Sequence, residues 1–161
     1  MTEPTFWRAE IWHPLTLHFP ITLLLVATAV MVAALFLRGD TKLFWQKVGS
    51  YSLYAGCLAA WVAIYTGDMA DGIVSRKICD PTILKSHELA AFNLAYLFTA
   101  ATALTLSLNI INVYRKALRV LVVLLMLAGT YYLVETGHKG AQVVYEQGGG
   151  VNMPASDCAG Y

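Results

Sequence analysis

The chain contains four histidines, and their side chains are the ones best suited to chemistry. They are His13, His18, His87 and His138. All four lie near the same end of the apolar segments of the chain. Imidazole is the commonest metal ligand and a usual axial ligand of haem iron, and ionisable residues within apolar spans mark functional sites. The pattern therefore predicts one shared site, at one membrane face, that holds haem or a metal.

Two kinds of site could use these histidines. In a b-type haem site, two neutral imidazoles from different helices bind the iron, and four histidines could serve one haem or two. The depths of the residues favour His18 with His138 for a deeper haem and His13 with His87 for a shallower one. The alternative is a non-haem site, since Glu135 and His138 have the Glu-x-x-His spacing of di-iron bundles. A c-type haem is excluded because the chain has no CxxCH motif.

The composition identifies the class of protein that must position these side chains. Of 161 residues, 58% are hydrophobic and 13% are charged, which is typical of an integral membrane protein. Since a helix needs about 20 apolar residues to cross a bilayer, the spans are predicted at residues 14–37, 48–67, 87–112 and 118–140. We expect a single domain over residues 1–161, an all-α bundle of four helices, with an outer tail at 141–161. The net charge of +1 and the absence of basic runs argue against nucleic acid as a partner.

The distribution of charge predicts the orientation of the bundle. Six basic residues lie in or beside the two short connections: Arg38, Lys42, Lys47, Arg115, Lys116 and Arg119. By the positive-inside rule, these connections are cytoplasmic. Both termini and the histidines then lie at the outer face, which is the periplasmic face if the protein is in a bacterial inner membrane.

Prolines and an aspartate suggest where helices begin and bend. Pro14 suits the first turn of a helix, which would put His13 at the helix start. Pro20 cannot donate a backbone hydrogen bond and should bend the same helix. Asp80 followed by Pro81 is a typical N-cap and first-turn pair, so the third helix is predicted to begin there.

The three cysteines are divided between the outer segments and one span. Cys79 and Cys158 lie in segments predicted to be outside, where the compartment would be oxidising, and Cys57 lies within the second span. Cys79 and Cys158 are therefore a candidate disulfide.

The first span opens with the motif WHPLTLHFPI at residues 12–21, followed later by Thr66-Gly67-Asp68 and by His87 at the start of the third helix. The segment VYEQGGGV at residues 144–151 completes a pattern that resembles DUF2231, a family of small bacterial membrane proteins. The resemblance implies a four-helix membrane fold and provides no settled activity. His13, His18 and His87 are the histidines that match the family's pattern.

We therefore expect a membrane-embedded haem b subunit that transfers electrons near the outer face. Its partners would be membrane lipid, the other subunits of a membrane redox complex, and a quinone or a periplasmic cytochrome. The sequence has no Ser-His-Asp order and no phosphate loop, so catalysis would belong to a partner. A structural or assembly subunit without a cofactor, and a non-haem metal protein that uses His and Glu, are the competing interpretations.

Overall fold

The computed structural model describes residues 7–108, 110 and 113–151 of the chain. Within these residues the protein is all-helical. The elements are α1 (Ala9–Thr16), α2 (His18–Phe36), α3 (Gly39–Val74), α4 (Pro81–Ser107) and α5 (Arg115–Tyr145). The all-α class predicted from the sequence is confirmed.

Four helical segments of the described chain are long and apolar enough to cross a membrane. The first, Ala9–Phe36, combines α1 and α2, and the others are α3, α4 and α5. Their lengths are 28, 36, 27 and 31 residues, so each exceeds the roughly 20 residues that a bilayer core requires. The prediction of a four-helix membrane bundle is confirmed, whereas its orientation and the single-domain boundary stay predictions.

The helices pack in a ring in which chain neighbours are also spatial neighbours. α2 packs on α3 and α5, and α4 packs on the same two helices, so α2 and α4 lie across one diagonal of the bundle. The largest fully buried side chains come from all four spans: Leu24, Leu53, Phe98, Val122 and Met126. Many large apolar side chains lie on the outside, such as Leu58 with 70% of its surface exposed. Lipid contact is the physical reason for this outer apolar surface.

The first span is interrupted at Leu17, between α1 and α2. The prediction that Pro14 lies in the first turn is wrong, because α1 begins at Ala9 and Pro14 is inside it. Proline at position 20 lies in the first turn of α2, where its missing N–H costs no helical bond. The interruption therefore falls in the turn before Pro20, because Thr16 cannot receive the backbone bond that Pro20 lacks.

The start of α4 is confirmed. Asp80 is its N-cap and Pro81 its first residue, and the Asp80 carboxylate accepts a hydrogen bond of 2.9 Å from the backbone N–H of Thr82. The backbone N–H of Asp80 donates to the side-chain oxygen of Gln147, which is buried, at 2.9 Å. This bond fastens the segment after α5 to the connection between α3 and α4.

The glycine-rich segment after α5 ends that helix. Gly148 and Gly150 have positive φ angles of 68° and 76°, which glycine adopts without strain. The N–H of Gly149 donates to the carbonyl of Val143 at 2.8 Å, and a Cβ at Gly149 would lie 3.1 Å from a methyl of Val74. The motif is therefore explained by helix termination and close packing.

The two described cysteines differ in whether they form a disulfide. Cys79, in the connection between α3 and α4, is disulfide-bonded, and Cys57 is a free thiol buried in α3. Cys158, its predicted partner, lies outside the described residues.

Candidate functional site

His13 and His87 meet at one end of the bundle. Their ring centroids are 6.1 Å apart and the ring planes are inclined at 81°. His13 belongs to α1 and His87 to α4, and no Cα atoms of these two helices lie within 8 Å of each other in the described chain. The two imidazoles therefore approach each other across the space between helices that do not themselves pack together.

Each imidazole is held by a backbone carbonyl of a neighbouring helix. His13 Nδ1 lies 2.9 Å from the oxygen of Ala63 in α3, and His87 Nδ1 lies 2.9 Å from the oxygen of Thr136 in α5. A carbonyl can only accept, so each Nδ1 must be the protonated nitrogen. In the neutral ring, Nε2 then carries a lone pair and can bind a metal ion. Such a carbonyl partner is typical of metal-binding histidines, because it fixes the tautomer and the ring orientation.

A glycine lies beside each of these two rings. Gly67 follows Ala63 by four residues in α3, and a Cβ there would lie 3.2 Å from Cε1 and Nδ1 of His13. Gly140 likewise follows Thr136 by four residues in α5, and a Cβ there would lie 3.1 Å from Cε1 of His87. These distances are shorter than ordinary contacts, so the absence of a side chain at both positions makes room for the imidazoles.

The site has two halves, one formed by His13 with α3 and the other by His87 with α5, and both have the same arrangement. The histidine and its carbonyl partner are separated by 50 residues in the first half and by 49 in the second. The repeat continues into the core, where Cβ atoms at Gly56 and Gly129 would lie 2.7 Å from Leu24 and Phe98 respectively. Leu24 follows His13 by eleven residues, and Phe98 follows His87 by the same number. The chain therefore contains two similar helical hairpins that run in the same direction, as in parallel membrane repeats.

A pair of threonines reinforces the first half of the site. Thr66 Oγ1 lies 2.8 Å from Thr16 Oγ1, and the two hydroxyls also lie 3.0 Å from the carbonyl oxygens of Ala63 and His13 respectively. Since each hydroxyl has one hydrogen, one threonine donates to the other, which in turn donates to its backbone carbonyl. The bond between the threonines joins α1 to α3 within one turn of His13, and it helps to hold His13 at a defined position relative to α3.

His18 and His138 are placed differently from the first two histidines. His18 is the first residue of α2 and His138 lies in α5, two residues after Thr136, so both are at the same end of the bundle as the pair. Both side chains are exposed. In the described part of the chain neither makes a hydrogen bond, an ion pair or a ring contact, so the structure brings together the shallower predicted pair and records no contact within the deeper one.

The predicted non-haem donors do not form a cluster. Glu135 forms an ion pair with Lys139, its neighbour one turn along α5, at 3.0 Å. Among residues 7–108, 110 and 113–151, no three His, Cys, Asp or Glu side chains are grouped so that they could hold a metal ion. Glu135 thus has a half-buried ion pair with Lys139, and His138 is exposed, which accounts for the Glu-x-x-His spacing without a metal site.

Sequence reasoning identified the histidines and missed the groups that hold them. Ala63 and Thr136 act through their backbone carbonyls, so their side chains carry no signal. Gly140 could have been found, because it follows His87 by 53 residues, nearly the 54 residues by which Gly67 follows His13. A search for internal repeats would have related the two hairpins.

Comparison with protein families gives one result. The family model described as "Predicted membrane protein (DUF2231)" matches residues 11–153, which confirms the resemblance seen in the opening motif. Comparison with curated proteins and with solved structures gave no match.

Proposed function

The chain belongs to the DUF2231 family of predicted membrane proteins, and we propose that it is a haem b electron-transfer subunit in which His13 and His87 would hold the haem iron. The observation that carries the proposal is the pair of neighbouring imidazoles, each of which donates its Nδ1–H to a backbone carbonyl. The remaining nitrogen of each ring is then a neutral donor, as a haem ligand must be.

The separation of the rings supports a single iron between them. A metal–imidazole bond is about 2 Å long, and each ring adds the distance from its nitrogen to its centroid. The 6.1 Å between the centroids would therefore allow His13 and His87 to bind one iron together. The described residues of α1 and α4 do not pack directly against each other, so the backbones of the two ligand helices lie apart.

The surroundings of the pair support tight positioning. Carbonyl oxygens of α3 and α5 orient the rings, and Gly67 and Gly140 leave space for them. Backbone atoms of packed helices move little, so each imidazole keeps its direction when a ligand binds or leaves. Haem, when bound, supplies a one-electron couple between ferric and ferrous iron. The chain supplies the two donors and their fixed tautomers, and it surrounds them with helices that limit the access of water.

The membrane setting gives this site its role. We propose that the protein lies in a bacterial inner membrane with the histidines at the periplasmic face, and that it passes electrons between a quinone or membrane complex and a periplasmic partner. Apolar side chains cover the outside of the bundle and contact lipid. Since one redox site performs no bond chemistry by itself, catalysis belongs to the complex in which the subunit works.

The test is a reduced-minus-oxidised spectrum with a pyridine haemochrome assay on the purified protein. We expect a b-type spectrum with one haem per chain. His13→Ala and His87→Ala should each lose the haem, whereas His18→Ala and His138→Ala should retain it and serve as matched controls. If His18→Ala or His138→Ala lost haem while His13→Ala kept it, the assignment to this pair would be wrong.

Two other outcomes would replace the function itself. A colourless wild-type protein that contains a stoichiometric metal by elemental analysis would favour a non-haem metal protein. A colourless protein without metal would favour a structural or assembly subunit. In the second case the His13–His87 pair would have a structural role, which the stability of the histidine variants would test.

A further inference from the structure

An open cavity lies at the opposite end of the bundle from the histidines. It has a volume of about 360 Å³ and is lined by residues of α2, α3, α4 and α5 and by Leu108, the C-cap of α4. Lys47, at its wall in α3, lies 16 residues from Ala63, which is about 24 Å along the helix. The cavity is therefore separate from the proposed haem site, and what it binds does not depend on that proposal.

The charged side chains that line the cavity are all basic. Lys47, Arg115 and Arg119 line it, and its lining among the described residues includes no acidic side chain. Lys47 and Arg119 take part in none of the ion pairs between described side chains. Lys47 and Arg119 are therefore two cations at one cavity that no described carboxylate balances, so they attract an anion, and arginine with lysine is the usual combination for phosphate.

The rest of the lining is suited to an amphiphile. Ser50 and Tyr54 contribute hydroxyl groups, and Met31, Leu43 and Leu108 contribute apolar surface. Leu43 is 54% exposed on the outside of a span, so the apolar side of the cavity continues onto the surface that faces lipid. A soluble anion would use only the polar part of this lining, whereas a lipid uses both parts.

We infer that this cavity binds the phosphate headgroup of an anionic lipid, with the acyl chains lying against Leu43 and Leu108. The volume is at the lower end of the range of about 300–1,000 Å³ for ligand pockets, which suits a headgroup. Basic pockets between membrane helices are a recognised type of site for anionic lipid headgroups. The bound lipid bridges α3 and α5, which contribute the cations, and so stabilises the bundle.

The experiment compares two double variants of the full chain, purified in detergent. Lys47→Gln with Arg119→Gln removes one lysine and one arginine from the cavity. Lys116→Gln with Arg38→Gln removes the same charges from the same end of the bundle, at exposed positions that do not line the cavity. The apparent affinity for phosphatidylglycerol is measured in mixed micelles from the rise in unfolding temperature, with phosphatidylcholine as the neutral lipid.

We expect phosphatidylglycerol to stabilise the wild type more than phosphatidylcholine does. The cavity variant should bind phosphatidylglycerol at least tenfold more weakly than the control variant. Equal affinities of the two variants, or equal stabilisation by the two lipids, would overturn the site. If inorganic phosphate alone gave the full stabilisation, the anion site would stand and the lipid as its occupant would be overturned.

A single substitution keeps the site testable if the double variant does not fold. Lys47→Gln changes one exposed side chain, and helicity measured by circular dichroism establishes that the variant is folded. It should weaken phosphatidylglycerol binding at least threefold relative to Lys116→Gln. A folded Lys47→Gln variant with unchanged affinity would remove Lys47 from the site and contradict the inference.

Discussion

The substitution Gly140→Ala tests whether α5 positions the His87 ring. The added Cβ would lie 3.1 Å from Cε1 and 3.3 Å from Nδ1 of His87. Since ordinary contacts between carbon atoms are about 3.5 Å or longer, the ring must move by about 0.4 Å. Metal–ligand distances tolerate about 0.2 Å, so a ring displaced by this much would bind the iron of the proposed haem less well. Changes of this kind around a ligand weaken metal affinity by about 10- to 100-fold.

The matched control is Gly137→Ala, three residues earlier in the same helix. A Cβ at Gly137 meets no atom within 4 Å. Its haem affinity should equal that of the wild type, and its stability should rise by about 0.5–1 kcal/mol because alanine is the better helix former. Both variants are titrated with haem as apoproteins, and the Soret absorbance gives the dissociation constants.

The first half of the site permits the same comparison. Gly67→Ala places a Cβ 3.2 Å from the His13 ring, whereas Gly72→Ala, in the same helix, meets no atom within 4 Å. We expect Gly67→Ala to weaken haem binding and Gly72→Ala to leave it unchanged. The reasoning would be refuted if the wild type bound haem and both Gly140→Ala and Gly67→Ala bound it as tightly as their controls. Such a result would mean that α3 and α5 do not position the histidine ligands.

Three further predictions concern the core of the bundle and the end at which the histidines lie. Gly129→Ala should destabilise the protein by about 1–3 kcal/mol, because the new Cβ would lie 2.7 Å from the fully buried ring of Phe98; unfolding in mixed micelles measures this. Gln147→Leu should cost about 1–3 kcal/mol in the same assay, because it removes the partner of the Asp80 N–H. Hydrogen bonds from the Thr82 hydroxyl and N–H lower the pKa of Asp80, so its contribution to stability is present above the ordinary carboxyl pKa and is lost as the pH falls through the lowered pKa. Stability against pH should therefore flatten in Asp80→Asn, which keeps a capping oxygen and does not titrate; an unchanged profile would contradict this.

The sequence predicted the fold closely and the site in part. The span around His13 was identified from its hydropathy, but its start was misplaced because Pro14 lies inside α1 and not in its first turn. The start of α4 was predicted correctly, since the Asp80–Pro81 signal is local and depends on neighbouring residues only. The pairing of His13 with His87 could not be established from helix register, which left several combinations of histidines open.

The sequence by itself determined the class of protein, its number of spans and the end of the bundle at which the histidines gather. These properties depend on the length and composition of contiguous segments, which the bilayer selects by the cost of exposing polar groups to hydrocarbon. The tertiary structure decided which imidazoles lie close together, which carbonyls fix their tautomers, and which glycines leave space for the rings. Such relations join residues about 50 positions apart in the chain. They depend on how one helix packs against another, a property that no single segment contains.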